Sequence, residues 1–155
     1  MSNDLLFQAP LDAAQIMRIL PHRHPFLMID RIVEMRPGFI VGEKTVTVNE
    51  WQFVGHFPGN PVMPGVLMIE AMAQTGAVLA LAHPEGQGKL ALLGGVDEAR
   101  FRRIVRPGDV LRIEMTETFR RRKIGRTSGR VFVNGELACE AVITFAVSDA
   151  VEAPG

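Results

Sequence analysis

One segment constrains this chain more than any other: Gly65–Ala82, eighteen residues with only three polar side chains, Glu70, Gln74 and Thr75. It predicts a helix of roughly 27 Å, at about 1.5 Å per residue. A helix apolar on nearly every side must be wrapped by protein or by lipid. A membrane span needs about 20 apolar residues. This run is short, carries a carboxylate within it and lacks basic flanks, so a wrapped central helix is the expectation. Such an apolar helix also suggests that a second subunit covers what one sheet leaves bare.

The wrapping elements are legible on both sides. Asp12 is placed to cap a short helix carrying Ile16, Met17, Ile19 and Leu20, which Pro21 ends. Pro25 opens an apolar run, Phe26–Val33, and Pro37-Gly38 marks a turn. Phe39–Val48, rich in β-branched residues, completes a hairpin. Asn49–Pro64 contains Gly55, Pro58, Gly59, Pro61 and Pro64, which forbid a regular element. Beyond the helix, Leu90–Val96 is a candidate strand, and Pro107-Gly108 turns the chain into Leu111–Phe119. There Leu111, Ile113 and Met115 alternate with Arg112, Glu114 and Thr116, the period of a half-buried strand. Val131–Val133 runs into Asn134-Gly135, a favoured hairpin turn, and Cys139–Val147 repeats the alternation. The sum is an α+β chain: an antiparallel sheet of about six strands wrapped around one long central helix. It reads as a single domain over residues 1–155, with loose ends at 1–10 and 148–155.

At 155 residues, 47% of them apolar, the chain is able to bury about two-thirds of its unfolded surface. A formal net charge of zero argues against a general nucleic-acid binder. Residues 100–130 nonetheless hold eleven of the 17 Lys/Arg against three acids, about +8, leaving about −8 elsewhere. Arg100, Arg102, Arg103 and Arg106, with Arg120, Arg121, Arg122 and Lys123, read either as a solvated face or as a basic surface for an acidic macromolecule. Cys139 is the single cysteine and falls in an apolar alternation, so a buried inert thiol is expected rather than a nucleophile. The apolar run Leu5–Phe7 is too short for a secretory signal, and cytoplasm is the expected compartment.

Two residues stand out for chemistry. Glu70 sits in the apolar helix, where a carboxylate must be paired, hydrogen-bonded or protonated. Gln74, one turn on, can orient it. Glu70 reads equally as a structurally tied polar residue, as an exit to solvent, or as a group placed for proton transfer. His56 lies in a stiff Pro/Gly loop, HFPGNPVMPG (56–65), directly before the helix. Pro64 and Gly65 open that helix with free backbone N–H groups that can polarise a carbonyl oxygen. A base, an acid and an oxyanion site thus fall within fifteen residues. His22 and His24 form an H-x-H pair, but neither Cys139 nor His83 completes a metal-ligand spacing. Glycine-rich phosphate loops and serine nucleophile elbows are absent.

LPHRHPFLMIDRI (20–32), GHFPGNPVMPGVLMIEAMAQTGAVL (55–79) and ARFRRIVRPGDVL (99–111) closely resemble the FabZ-type 3-hydroxyacyl-[acyl-carrier-protein] dehydratases, in one order over about residues 12–147. The resemblance implies a hot-dog fold, dimers that pair their sheets, and hexamers built as trimers of dimers. It places the catalytic histidine on His56 and the catalytic glutamate on Glu70, with each site taking its glutamate from the neighbouring subunit. The backbone N–H of Gly65 would face the thioester carbonyl, with Val66, Phe57 and Pro64 beside it and Gln74 orienting the acid. The implied reaction converts a (3R)-3-hydroxyacyl chain on acyl carrier protein into the trans-2-enoyl chain. It needs no metal or cofactor, since phosphopantetheine enters with the substrate. The isomerising branch has aspartate where this chain has Glu70. His24 and Ile104 depart from the family's usual tyrosine and proline. An acyl thioesterase of the same fold and a noncatalytic acyl-binding module are the rival readings. Fatty-acid elongation and 3-hydroxyacyl supply for lipid A both remain open as settings.

Overall fold

A computed structural model describes residues 4–150. Helix α1 (Ala13–Ile19) begins at Asp12 with a reciprocal box: Gln15 N–H donates to Asp12 Oδ1 and Asp12 N–H donates to Gln15 Oε1, both at 2.9 Å. Its buried residues are Ile16 and Ile19. Strands β1 (Arg31–Arg36) and β2 (Phe39–Thr45) form the expected hairpin around Pro37-Gly38. The first strand starts later than the apolar run beginning at Phe26 suggested. Residues 26–29 instead stay irregular, with Met28 and Ile29 buried. Burial alone makes such a run apolar, whatever its backbone does.

Helix α2 (Gly65–Leu81) follows, and then β3 (Lys89–Phe101), β4 (Val110–Arg121), β5 (Ile124–Val133) and β6 (Glu136–Asp149). The six strands make one antiparallel sheet in the order β1-β2-β4-β5-β6-β3, curled so that α2 touches β2 through β6. The close approach depends on a missing side chain. A Cβ on Gly42 of β2 would meet Thr75 Oγ1 of α2 at 2.9 Å. Thr75 itself needs no outside partner, because its hydroxyl donates to the Ala71 carbonyl at 2.8 Å.

The ends are better fastened than their sequence suggests. Leu6 N–H donates to the Ala82 carbonyl at the C-terminus of α2, where the last carbonyls of a helix lack internal partners. Leu11 exchanges two backbone hydrogen bonds with Ile32. At the other end, β6 runs on to Asp149, paired with Lys89. The remainder of the expected loose ends, 1–3 and 151–155, lies outside the described residues.

Candidate active site

The burial of α2 is uneven in an informative way. Thirteen of its residues are buried, while Val66 is exposed and Glu70 and Ala73 are half-buried. The spacing i, i+4, i+7 puts these three on one stripe, the strip of helix the sheet does not close over. Glu70 therefore occupies an opening. It lines a cavity of about 210 Å³ with His22, Ala73, Gln74, Ala77 and Ala91–Leu93 of β3. Its Oε1 accepts from Gln74 Nε2 at 2.8 Å.

Gln74 is 1% exposed and has its amide fully used. Nε2 also donates to the Phe26 carbonyl at 2.8 Å, and Oε1 accepts from Met28 N–H at 2.7 Å. That network fixes which amide atom is nitrogen, and with it the hydrogen bond offered to Glu70. The same bonds staple segment 26–28 onto the helix.

His56 sits at the head of the loop before α2, which is held at many points. Its N–H donates to the Gln52 carbonyl, and its own carbonyl accepts from Val62 N–H at 3.0 Å. Phe57 and Asn60 exchange backbone bonds across the Pro58-Gly59 turn, and Met63 N–H donates to the Val105 carbonyl. The ring is oriented by Nδ1, 2.7 Å from the Val62 carbonyl oxygen. A carbonyl only accepts, so Nδ1 carries the hydrogen and the neutral ring keeps a lone pair on Nε2. Phe57 stacks on the imidazole, with centroids 3.9 Å apart.

Pro64 caps α2, its carbonyl accepting from Leu67 N–H at 3.0 Å. No described group accepts from the N–H of Gly65 or Val66. A side chain at 65 would crowd an aromatic ring: a Cβ there would meet Phe101 Cε1 at 2.6 Å. Two donors thus stand at the positive end of the helix dipole, where the His56 loop enters α2. No hydrogen bond or ion pair joins His56 to Glu70 within one protomer, and the cavity lined by Glu70 does not include His56.

The basic residues do not form one surface. Arg100 is level with Glu140 on β6, whereas Arg120 is level with Gly125 and, through it, Phe145. Five residues of β6 separate them by roughly 17 Å at about 3.3 Å per residue. Several are also occupied. Arg102 pairs with Glu140 at 3.0 Å and Arg120 with Glu117 at 3.2 Å, and Arg103 donates to the Val133 carbonyl. Arg106 braces the His56 loop through Asn60 Oδ1 at 2.7 Å. Arg100, Arg121, Arg122 and Lys123 are exposed, as are His24 and Ile104.

The sequence offers His22 only as half of an H-x-H metal pair, and the structure turns it elsewhere. Its Nε2 is 3.8 Å from Glu70 Oε1. Burial, outweighing attraction to the Glu70 carboxylate, lowers its pKa, and Arg23 adds to the lowering. Among the described residues no three His, Cys, Asp or Glu side chains gather as a metal site. Cys139 is fully buried, and burial first, then Glu140, push its thiol up to about 11. It is no nucleophile at neutral pH. Lys44 carries no local signal in the sequence. It is 4% exposed and paired at 2.6 Å with Glu50, which leads into the 3₁₀ turn Trp51–Val54 ahead of His56.

An antiparallel sheet around a buried helix, with a histidine loop at the helix head and a carboxyl on its open stripe, defines a hot-dog protein. The chain belongs to the FabA-like family, whose domain model matches residues 20–142. Among curated relatives, the 3-hydroxyacyl-[acyl-carrier-protein] dehydratase FabZ of Chloroflexus aggregans is 58% identical over 140 residues, covering 90% of this chain and 97% of its own. Two solved structures share the fold at lower identity. The dehydratase heterocomplex ApeI:P of Xenorhabdus doucetiae matches with TM-score 0.73 and 22% identity over 84% of this chain and 89% of its own. A hypothetical thioesterase with coenzyme A from Streptococcus pneumoniae matches with TM-score 0.58 and 17% identity over 78% and 87%. The fold alone therefore does not separate dehydration from thioester hydrolysis.

Proposed function

We infer that this chain dehydrates 3-hydroxyacyl chains on acyl carrier protein to the trans-2-enoyl form, in fatty-acid synthesis. The observation that carries the reading is the locked His56 ring, whose Nε2 is left as a base in the loop that leads into the free N–H groups of Gly65 and Val66. In the proposed mechanism the thioester oxygen accepts from Gly65 N–H, which stabilises the enolate-like charge as the α-proton leaves. Nε2 of His56 takes that proton. The C–O bond at carbon 3 breaks, Glu70 protonates the departing hydroxyl, and water is released. No metal or cofactor of the protein's own takes part, since phosphopantetheine arrives as part of the substrate. Val66, 72% exposed, and Phe57, 49% exposed, give the substrate's entry an apolar rim.

The proposed assembly is a homodimer whose sites combine His56 of one protomer with Glu70 of the other, with three dimers forming a hexamer. The edge strand supports it. Among the described residues β3 pairs only with β6, and it exposes Leu92, Leu93, Val96 and Phe101, an apolar edge of the kind that recruits another strand. The exposed cations, Arg100 and Arg121–Lys123, suit encounter with an acidic carrier protein. No helix among the described residues is long and apolar enough to cross a membrane, and a cytoplasmic setting is proposed.

The test is turnover of a carrier-bound 3-hydroxyacyl chain, followed by the ultraviolet absorbance of the conjugated enoyl thioester and by assay of free thiol. Enoyl formation that is lost in His56→Asn and Glu70→Gln is expected. Free thiol without enoyl product would establish the thioesterase instead, and binding without either product an acyl-binding module.

A further inference from the structure

We propose that His22 is the positioning residue of Glu70: its Nε2–H holds Oε1 of the carboxyl, so that Oε2 is the oxygen presented to the substrate. The proposal rests on the dehydratase reading of Glu70.

The ring is held by its backbone. The Arg23 guanidinium donates to the carbonyls of Met17 at 3.0 Å, Leu20 at 2.9 Å and His22 at 2.7 Å, locking the segment onto the end of α1. Further on, Gln74 staples Phe26 and Met28 to α2. Between these two anchors His22 lies 22% exposed, its ring 6.5 Å from that of Phe26.

The tautomer follows from what each nitrogen meets. Nδ1 is buried with no partner among the described residues, whereas Nε2 is directed at Glu70. A neutral imidazole has one N–H. On Nδ1 it would be a buried donor with no acceptor, a costly arrangement; on Nε2 it faces a carboxyl oxygen. Burial keeps the ring neutral, so it acts as a directional donor rather than a second cation. Its remaining lone pair is buried, which leaves it unable to take a proton from substrate.

Oε1 of Glu70 is therefore the focus of two donors, Gln74 Nε2 at 2.8 Å and His22 Nε2 at 3.8 Å. The second distance is longer than a hydrogen bond. Contacts of this kind often tighten only when substrate fills the site, and the open cavity around Glu70 has room for the movement. With both donors aimed at Oε1, Oε2 is left as the oxygen that faces the substrate.

The test compares His22→Leu, which removes the donor, with His22→Gln, whose amide restores one. Steady-state kinetics and thermal melting are measured on the intact oligomer. The expected result is a kcat about tenfold lower for His22→Leu at nearly unchanged KM, since small misplacement of a reacting group has such cost, and recovery of most of it in His22→Gln. An unchanged kcat in His22→Leu, or equal loss in both variants, overturns the proposal. Nitrogen-15 spectra of the imidazoles provide a readout independent of turnover. Protonation of His22 on Nε2 supports the proposal, and protonation on Nδ1 overturns it. If the wild type fails to turn over a hydroxyacyl chain, the functional reading falls while these spectra still decide where His22 directs its proton.

Discussion

The loop 55–64 and the segment 20–28 both approach α2 from outside, both are interrupted by proline, and both bring a histidine to it. They fix opposite tautomers. In the loop, a backbone carbonyl captures Nδ1–H of His56 and leaves Nε2 bare, which makes a base. In the segment, Nδ1 of His22 has no hydrogen-bond partner among the described residues and a carboxyl lies before Nε2, which makes a donor. The chemical role of a neutral imidazole is thus set by the partner of its other nitrogen, something neither residue type nor spacing records. The anchoring differs as well. The loop is tied mainly by backbone bonds and by Arg106, the segment by the side chains of Arg23 and Gln74.

The comparison breaks most sharply at His56. His56→Asn is expected to lower kcat by about 10²–10⁴, the range for losing a general base, with melting temperature held. Activity near wild type would reassign the base. Gln74→Leu tests the side-chain anchor. It strands the buried Met28 N–H and frees the part-buried Phe26 carbonyl, and a buried unsatisfied group costs about 1–3 kcal/mol. Denaturant unfolding should show that loss, together with lower kcat as Glu70 and His22 slacken; intact stability would mean that the segment is held elsewhere.

Gly65→Ala probes the donors beside the loop. Its Cβ would push the half-exposed Phe101 ring aside, so stability should change little, while kcat/KM falls by about tenfold as the helix head shifts. In a Phe101→Ala background the same substitution should cost less, and a double-mutant cycle measures the difference. The smallest effect concerns pH. Because the folded pKa of His22 is lowered from 6.5, the unfolded chain binds its proton first as pH falls. Its contribution to stability is complete above about 6.5 and is lost as pH drops through the folded value. Glu70, which opposes the lowering, and Arg23, which adds to it, face the same ring. Melting curves of wild type and His22→Leu should converge towards acid pH, and parallel curves would show that His22 carries no linkage.

Much of the architecture was readable because it follows from burial with a period. The apolar run 65–82 demanded wrapping, the alternations at 111–119 and 139–147 announced strands, and Asp12 and Asn134-Gly135 marked a cap and a turn. What misled was apolar character without period: the run from Phe26 looked like strand, although it is buried irregular chain. His56, Glu70, Gly65 and Gln74 were singled out because a polar group in an apolar helix, and a histidine ahead of a helix start, are costly or unusual locally. His22 was passed over because nothing local marks it. Its relation to Glu70 spans 48 positions and exists only after Arg23 and Gln74 have folded the segment over α2.

By itself, then, the sequence determined a central helix, the strands that enclose it, and a histidine, a carboxyl and a glycine within reach of one helix end, because periodicity and the cost of burying charge act over neighbouring residues. Only the tertiary structure decided which stripe of α2 stays open, which nitrogen of His56 and of His22 meets a partner, and that the basic residues part into two separate groups. Each depends on partners distant in the chain, and a distance in space between such partners has no counterpart in their order along it.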